Sequence, residues 1–424
     1  MLILVSRQAA AVIGNAGNWG HITLRVNHGE QLAAVVAVSN GDNTLTPVPL
    51  DPPNHVLYTA DPYRAAIWYR TDPGLHLTWV QAIARAETAI PLESFKAHIE
   101  SGFKQPGTDQ LTLTYAHRPD AQYPHLGVPD LAAWQVSRDA AAPVPLLVQQ
   151  QTTGIAQLGD SWPVESLART HLALIGAGSI GGAIAHALAG YGLGHLTLID
   201  PDYLAWHNLV RHTSSARQVG RLKVHVLAEE ITAKHPHTKV TALPWNVITD
   251  AHHVRALIAE TDLVLGATDG VATRRVISHL ARRTQRTAIM ACVLHDGAIG
   301  EVLRLRPWAT HGCLPCRRSA LEQAGGLDPE PSLDAGYGNG GLHRPMSAVG
   351  PDLHLTGQLA AKVAIATVLE RDGHPDQRLP GEHALIGLRR QPDLAAPFDL
   401  ARTGEVRWLP AALPQPGCPT CDPA

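Results

Sequence analysis

The chain has 424 residues, 45% of them hydrophobic and 17% charged, with a formal net charge of −3 at neutral pH. That length gives room for two or three domains with sizeable cores. The near-neutral balance removes the general electrostatic case for binding nucleic acid or an acidic membrane surface. The opening stretch MLILVSRQAAAVIGNAG has no basic residue ahead of its apolar run and no long apolar core, so no secretory signal is expected and a cytoplasmic location is.

Residues 1–142 are expected to form an N-terminal α+β accessory domain of unassigned role. Strand-like runs occur at His21–Val26, Leu32–Val38 and Leu111–Tyr115, helical ones at Leu77–Glu87 and Leu92–Ile99, with a turn-rich stretch at Asn40–Pro53. Residues 143–164, low in periodicity and rich in glutamine, read as a linker to a domain spanning residues 165–424.

From His171 the pattern sharpens. Leu172–Ile175 is a short apolar run, followed by Gly176, Gly178 and Gly181 in G-x-G-x-x-G spacing. Ile180, Ala183, Ile184, Ala187, Leu188 and Tyr191 then recur as one face of a helix. Leu196–Ile199 is a second strand closed by Asp200, 19 residues after Gly181. No charged side chain lies between Leu172 and Ile199, yet its seven glycines and two histidines argue for a buried parallel strand pair rather than a membrane span. Such a βαβ unit binds nucleotides: the glycines admit a phosphate, and the helix N-terminus points unpaired N–H groups at it. Asp200 alone would equally serve as the ribose acid of an NAD enzyme.

Beyond it, helices are expected at Val219–Ala233, Ala251–Ala259, Val271–Arg283 and Leu353–Glu370. Strands are expected at Lys239–Leu243, Asp262–Gly266, Thr287–Val293, Ile299–Leu305, Glu382–Gly387 and Glu405–Leu409. The alternation implies an α/β fold with a doubly wound, mostly parallel, Rossmann-like sheet. Ligands of such sheets lie beyond the carboxyl ends of the strands, so the glycine turn, Asp200 and Asp269 should face one crevice. Cys313, Cys316, Cys418 and Cys421 form two C-x-x-C pairs about a hundred residues apart. Without a secretion signal, that spacing reads as a tetrahedral Zn²⁺ site that ties the tail to the domain. The fifth cysteine, Cys292, lies in the apolar run AIMACVL and reads as core.

Asp200-x-Asp202, Asn208-Leu209-x-Arg211, Val219-Gly220-x-x-Lys223 and Thr268-Asp269 occur in that order. Together with both C-x-x-C pairs this combination resembles the ThiF/MoeB family of adenylating enzymes, related to ubiquitin-activating enzymes, over about residues 165–421. The resemblance implies a ThiF-type nucleotide-binding transferase that joins the C-terminal carboxylate of a small Gly-Gly-ended ubiquitin-like or sulfur-carrier protein, or of a precursor peptide, to the α-phosphate of ATP. It implies ATP, Mg²⁺ and Zn²⁺ as cofactors and a homodimer as the assembly. Gly176, Gly178, Ser179 and Gly181 would cradle phosphate and Asp200 would take the ribose. Asn208, Arg211 and Lys223 would hold the phosphates and Asp269 would hold Mg²⁺, with Arg211, Lys223 and Asp269 catalytic. Arg274, one turn into its helix, reads as structural.

This chain departs from the family pattern in three places. Ser179 stands where the family often has glycine. The segment Gln149–Thr152 carries no arginine, where family members place one that reaches a partner's site. No cysteine follows the first C-x-x-C in the connection that bears the thioester in other members, so the chemistry is expected to end at adenylation or at a nucleophile on another molecule. Two other readings remain open: a Rossmann oxidoreductase using NAD or FAD, and a non-catalytic docking subunit that keeps the fold.

Overall fold

The computed structural model describes residues 1–41, 44–48, 63–85, 89–104, 109–149, 154–326, 348–391 and 393–421. The chain divides into two compact units, Met1–Thr153 and Gly154–Ala424.

The first unit is a mixed sheet with helices on it. Its longer strands are Trp19–Asn27, Leu32–Val38, Arg64–Thr71, Gln110–Ala116 and Leu131–Val136. Strand alternation supplies both faces with apolar residues. Trp68 and Ala133 enter a core with Ile3, Ile13, Ile22 and Leu24. Their neighbours Tyr69 and Trp134 enter another with Leu75, Trp79 and Phe95. The expected strands and the helices Pro73–Arg85 and Leu92–Lys96 are present. A helix at Arg7–Gly14, capped by the Ser6 hydroxyl accepting from Ala9 N–H at 3.1 Å, was not foreseen. Residues 140–148, part of which reads as linker in the sequence, form the strands Ala140–Val144 and Leu146–Val148. Much of the turn-rich stretch after Asn40, residues 86–87 of the expected helix, and Gln150–Thr152 lie outside the described residues.

The second unit carries the glycine motif. Its strands are β1 (His171–Ile175), β2 (His195–Ile199), β3 (Lys239–Leu243), β4 (Leu263–Gly266), β5 (Thr287–Leu294), β6 (Ile299–Leu305), β7 (His383–Gly387) and β8 (Val406–Leu409). Its principal helices are α1 (Ser179–Gly190), α2 (Lys223–Lys234), α3 (Ala251–Glu260), α4 (Val271–Arg283), α5 (Leu314–Gln323) and α6 (Gly350–Arg371). Among the described residues the sheet order is β3-β2-β1-β4-β5-β6-β7-β8. Pairing is parallel from β3 to β5 and antiparallel from β5 to β8.

The sheet is covered on both faces. Leu172 and Leu174 of β1 pack with Ile184 and Leu188 of α1, Ile231 of α2 and Ile365 of α6. Ala173 and Ile175 point the other way, to Val254 and Ile258 of α3 and Ile277 of α4. This is the doubly wound arrangement the alternation implied. One difference lies in α2, which begins at Lys223 rather than Val219: a 3₁₀ turn at Ala216–Gln218 and a left-handed Gly220 (φ +87°) delay it. Helix α5 has no counterpart in the sequence reading. Most of the glycine-rich connection after it lies outside the described residues.

Candidate nucleotide site and tetracysteine cluster

The glycine turn joins β1 to α1 at the carboxyl edge of the parallel strands. Gly176 has φ +99°, and a Cβ there would stand 2.4 Å from Ala267 O. A Cβ on Gly181 would come within 1.9 Å of Gly176 O, so only a bare Cα lets α1 pack against the turn. Gly178 differs: a Cβ there would meet nothing within 4 Å. It is the N-cap of α1, with no side-chain cap bond, and Ser179 opens the helix. The turn therefore leaves open space where the helix presents its first N–H groups, a place that fits a phosphate oxygen.

Asp200 follows β2 and is buried. One carboxylate oxygen accepts Ala177 N–H at 2.7 Å and the other accepts Asp202 N–H at 2.8 Å. Burial raises its pKa, opposed by the Lys223 ammonium. Asp200 thus clamps the glycine turn to the end of β2, in addition to any part it takes in holding ribose. Lys223, the first residue of α2, reaches Asp202 at 2.8 Å. A small recess is lined by Ala177, Gly178, Gly182, His212 and Lys223, with Thr213 and Ser214 beside them.

Asn208 and Arg211 lie in the connection from β2 to α2. A 3₁₀ turn at Trp206–Asn208 is locked by Asn208, whose Oδ1 accepts Ala205 N–H at 2.9 Å and whose carbonyl accepts the N–H groups of Arg211 and His212 at 2.9 and 3.0 Å. The Arg211 carbonyl pairs with the His354 ring at 2.9 Å, so α6 holds this turn from the other side. Asp269 is exposed and follows β4, beside β1 in the sheet. The cap position of α4 is Gly270, one residue later. Asn208, Arg211 and Asp269 do not line the recess itself. They stand on the segments that follow β2 and β4, the two neighbours of β1.

The sequence reading passed over His212, Thr213, Ser214 and His354. They belong to no spaced pattern; the one available signal was that the first three follow Arg211 directly.

Cys313, Cys316, Cys418 and Cys421 converge, with their sulfurs all within 4.8 Å of one another. Three of the Sγ–Sγ distances are 3.7, 3.5 and 3.7 Å. These are far too long for disulfides, at ~2.05 Å. They match the edge of a tetrahedron with metal–sulfur bonds of ~2.3 Å, which is about 3.8 Å. Cys313 N–H and Gln415 N–H donate to Cys421 and Cys316 sulfur at 3.2 and 3.3 Å, as amides around thiolates do. The donor set fits a thiophilic metal. The cluster also grips α4, because Leu314 N–H donates to Ser278 Oγ at 3.1 Å and the His279 ring pairs with Thr420 at 3.1 Å.

Cys292 is buried in β5. Its thiol donates to Glu301 at 3.3 Å and accepts from Arg274 at 3.2 Å. Burial pushes it up to about 11, so it is a protonated core thiol at neutral pH. Burial alone would raise the Glu301 pKa, but the Arg318 guanidinium and the His383 ring hold it well below the usual carboxylate range. Arg318 grips both Glu301 oxygens, and His383 Nε2 lies 2.9 Å from one of them.

Residues 149–388 match the model of the ThiF family. The molybdopterin-synthase adenylyltransferase of Escherichia coli K12 is 39% identical over 115 residues, 27% of this chain and 45% of the relative. The sulfur carrier protein ThiS adenylyltransferase of the same strain is 30% identical over 153 residues, 36% of this chain and 59% of the relative. The chain thus spans about half the length of these curated relatives. A crystal structure of E. coli MccB with MccA-N7isoASN aligns with a TM-score of 0.47 at 20% identity, over 61% of this chain and 68% of that one. No helix among the described residues is long and apolar enough to cross a membrane.

Proposed function

The chain belongs to the ThiF family, and from that premise we propose that it is an ATP- and Mg²⁺-dependent adenylyltransferase acting on the C-terminal carboxylate of a small protein or peptide. The observation that carries this reading is the junction of Gly178, its open helix N-terminus and Lys223 in one recess at the carboxyl edge of the sheet. An NAD enzyme needs the glycines and an acid after β2. It has no use for a lysine beside the glycine turn, with Arg211 and Asn208 held in the adjoining loop.

In this reading a substrate carboxylate oxygen attacks the α-phosphorus of ATP. A new O–P bond forms, the bond to the bridging oxygen breaks, and pyrophosphate leaves with the electron pair. The residues contribute positioning and charge rather than covalent chemistry. The first N–H groups of α1, from Ser179 on, receive phosphate oxygens beside Gly176, Gly178 and Gly181. Lys223 exchanges Asp202 for phosphate. Asn208 and Arg211, fixed by their 3₁₀ turn, offset charge on the leaving group, and Asp200 keeps the turn in place and takes ribose hydroxyls. Asp269 would hold Mg²⁺, which when bound screens the charge of the polyphosphate. The four cysteines would hold Zn²⁺ in a structural site.

The protonated, buried Cys292 is unsuited to carrying a thioester, which supports an acyl-adenylate handed to a nucleophile on another molecule. The substrate is a Gly-Gly-ended ubiquitin-like or sulfur-carrier protein or a precursor peptide, recognised with the help of the first unit, Met1–Thr153. The enzyme works as a cytoplasmic homodimer.

ATP–pyrophosphate exchange with candidate carboxylate substrates tests this. Lys223→Ala and Asp269→Ala should each lower exchange by roughly 10²–10³, the cost of one donor or charge that stabilises the transferring group. Undiminished exchange in both variants would remove the site assignment. Failure of the parent to bind ATP would favour a docking subunit instead.

A further inference from the structure

The reaction as drawn leaves one titratable side chain of the recess without a task. His212 lines it beside Gly178, Gly182 and Lys223. Its N–H is bonded to Asn208 O, so the turn that fixes Asn208 and Arg211 also fixes the origin of the imidazole. The groups that face it are Lys223 from the head of α2, Arg211 and His207 from its own connection, and His354 from α6. None is acidic. The two carboxylates nearby are committed: Asp200 to the N–H groups of Ala177 and Asp202, and Asp202 to Lys223.

Burial first, and the charges of Lys223 and Arg211 second, lower the His212 pKa to about 4, so the ring is neutral when the recess is empty of anion. With Asp200 held by backbone N–H groups and Asp202 by Lys223, a proton on the ring gains no partner until an anion enters. A polyphosphate reverses the local field and makes an imidazolium favourable.

We propose that His212 is a further phosphate-binding residue, which takes one proton from solvent as the triphosphate enters the recess and returns it when pyrophosphate leaves. The protonated ring then donates an N–H to a non-bridging phosphate oxygen, a charge-assisted bond that neutral imidazole does not provide. The inference rests on the adenylyltransferase reading above and adds a proton to its binding step.

Calorimetric titration of the full chain with MgATP, in two buffers of different ionisation enthalpy from pH 6.5 to 8.5, tests it. The parent should take up as much as one proton per nucleotide at the acid end. Its Kd should rise by up to about tenfold per pH unit while the pH stays below the pKa of the bound state, and level off above it. His212→Gln should bind MgATP more weakly at pH 6.5, with no net uptake and a flat pH profile. Equal uptake in parent and variant would overturn the proposal. No nucleotide binding by the parent would instead overturn the adenylyltransferase reading. Should His212→Gln not fold, ¹⁵N spectra of the parent's His212 ring with a non-hydrolysable ATP analogue decide: an imidazolium signature supports the proposal, and a ring that stays neutral overturns it.

Discussion

The two halves of the second unit's sheet use the same pair of groups, a carboxylate and a cation, in opposite ways. At the parallel half, Lys223 meets Asp202 at 2.8 Å with the carboxylate side chain 50% exposed. At the antiparallel half, Glu301 is 1% exposed and is held by Arg318 on both oxygens, His383 and Cys292. A half-solvated pair is worth roughly 0–1 kcal/mol and opens at little cost. Removing one partner of a buried pair strands a charge, at about 3–5 kcal/mol. The first arrangement suits a residue that must be handed to a ligand, and the second suits a joint that must not move. The joint links β6, β7 and α5, and through Cys292 and Arg274 it reaches α4, the helix that Asp269 precedes.

That contrast can be broken most sharply at the joint. Glu301→Ala should lose about 3–5 kcal/mol in urea denaturation, and a loss below 1 kcal/mol would place the pair in the same class as the surface one. Next in size is Gly181→Ala. With a Cβ 1.9 Å from Gly176 O, it should cost about 1–3 kcal/mol as overpacking and weaken ATP binding as well. Normal ATP affinity in a stable variant would contradict the close approach of α1.

A smaller effect concerns acid. The Glu301 pKa is held below its unfolded value, so its contribution is full above about pH 4.5 and is lost as pH falls further. The His212 pKa is lowered from 6.5 to about 4, so the unfolded chain binds the proton first and stability declines as pH drops through that window. The slope owed to one such group is at most about 1.4 kcal/mol per pH unit. His212→Gln should therefore flatten the curve between pH 6.5 and 4, and an unchanged curve would remove His212 as its cause. The smallest effect is on stability at the half-solvated pair: Lys223→Ala should change it by less than about 1 kcal/mol while exchange falls steeply. A large destabilisation there would show that the lysine is a second joint.

The parallel half was legible because its signals are local. Apolar runs, glycine spacing and the terminal acid fix β1, α1 and β2 within a residue or two, and Lys239–Leu243 and Val271–Arg283 match the structure's limits. Helix α5 escaped because its buried face is only partly apolar: Arg317 and Arg318 are buried beside Leu314, Cys316 and Leu321, the arginines through partners distant in sequence. Hydrophobic periodicity cannot register a cation buried by its partner. The first unit was half legible for a similar reason. Alanine-rich strands such as Ala140–Val144 carry too little hydrophobic contrast, and the helix at Arg7–Gly14 announces itself chiefly through Ser6. In the site, residue types in order pointed to Asp200 and Lys223, but not to the clamp Asp200 makes on the turn. His212 came into view once the chain was folded.

The tetracysteine cluster has a topological consequence. With Cys316 and Cys421 side by side, 105 positions apart in the chain, a shared metal closes everything between them into a ring. A single cut in that ring leaves both ends fastened, so the nicked protein travels as one particle. After chelation the same cut leaves the two pieces joined only by non-covalent contacts, such as the pairing of β8 with β7.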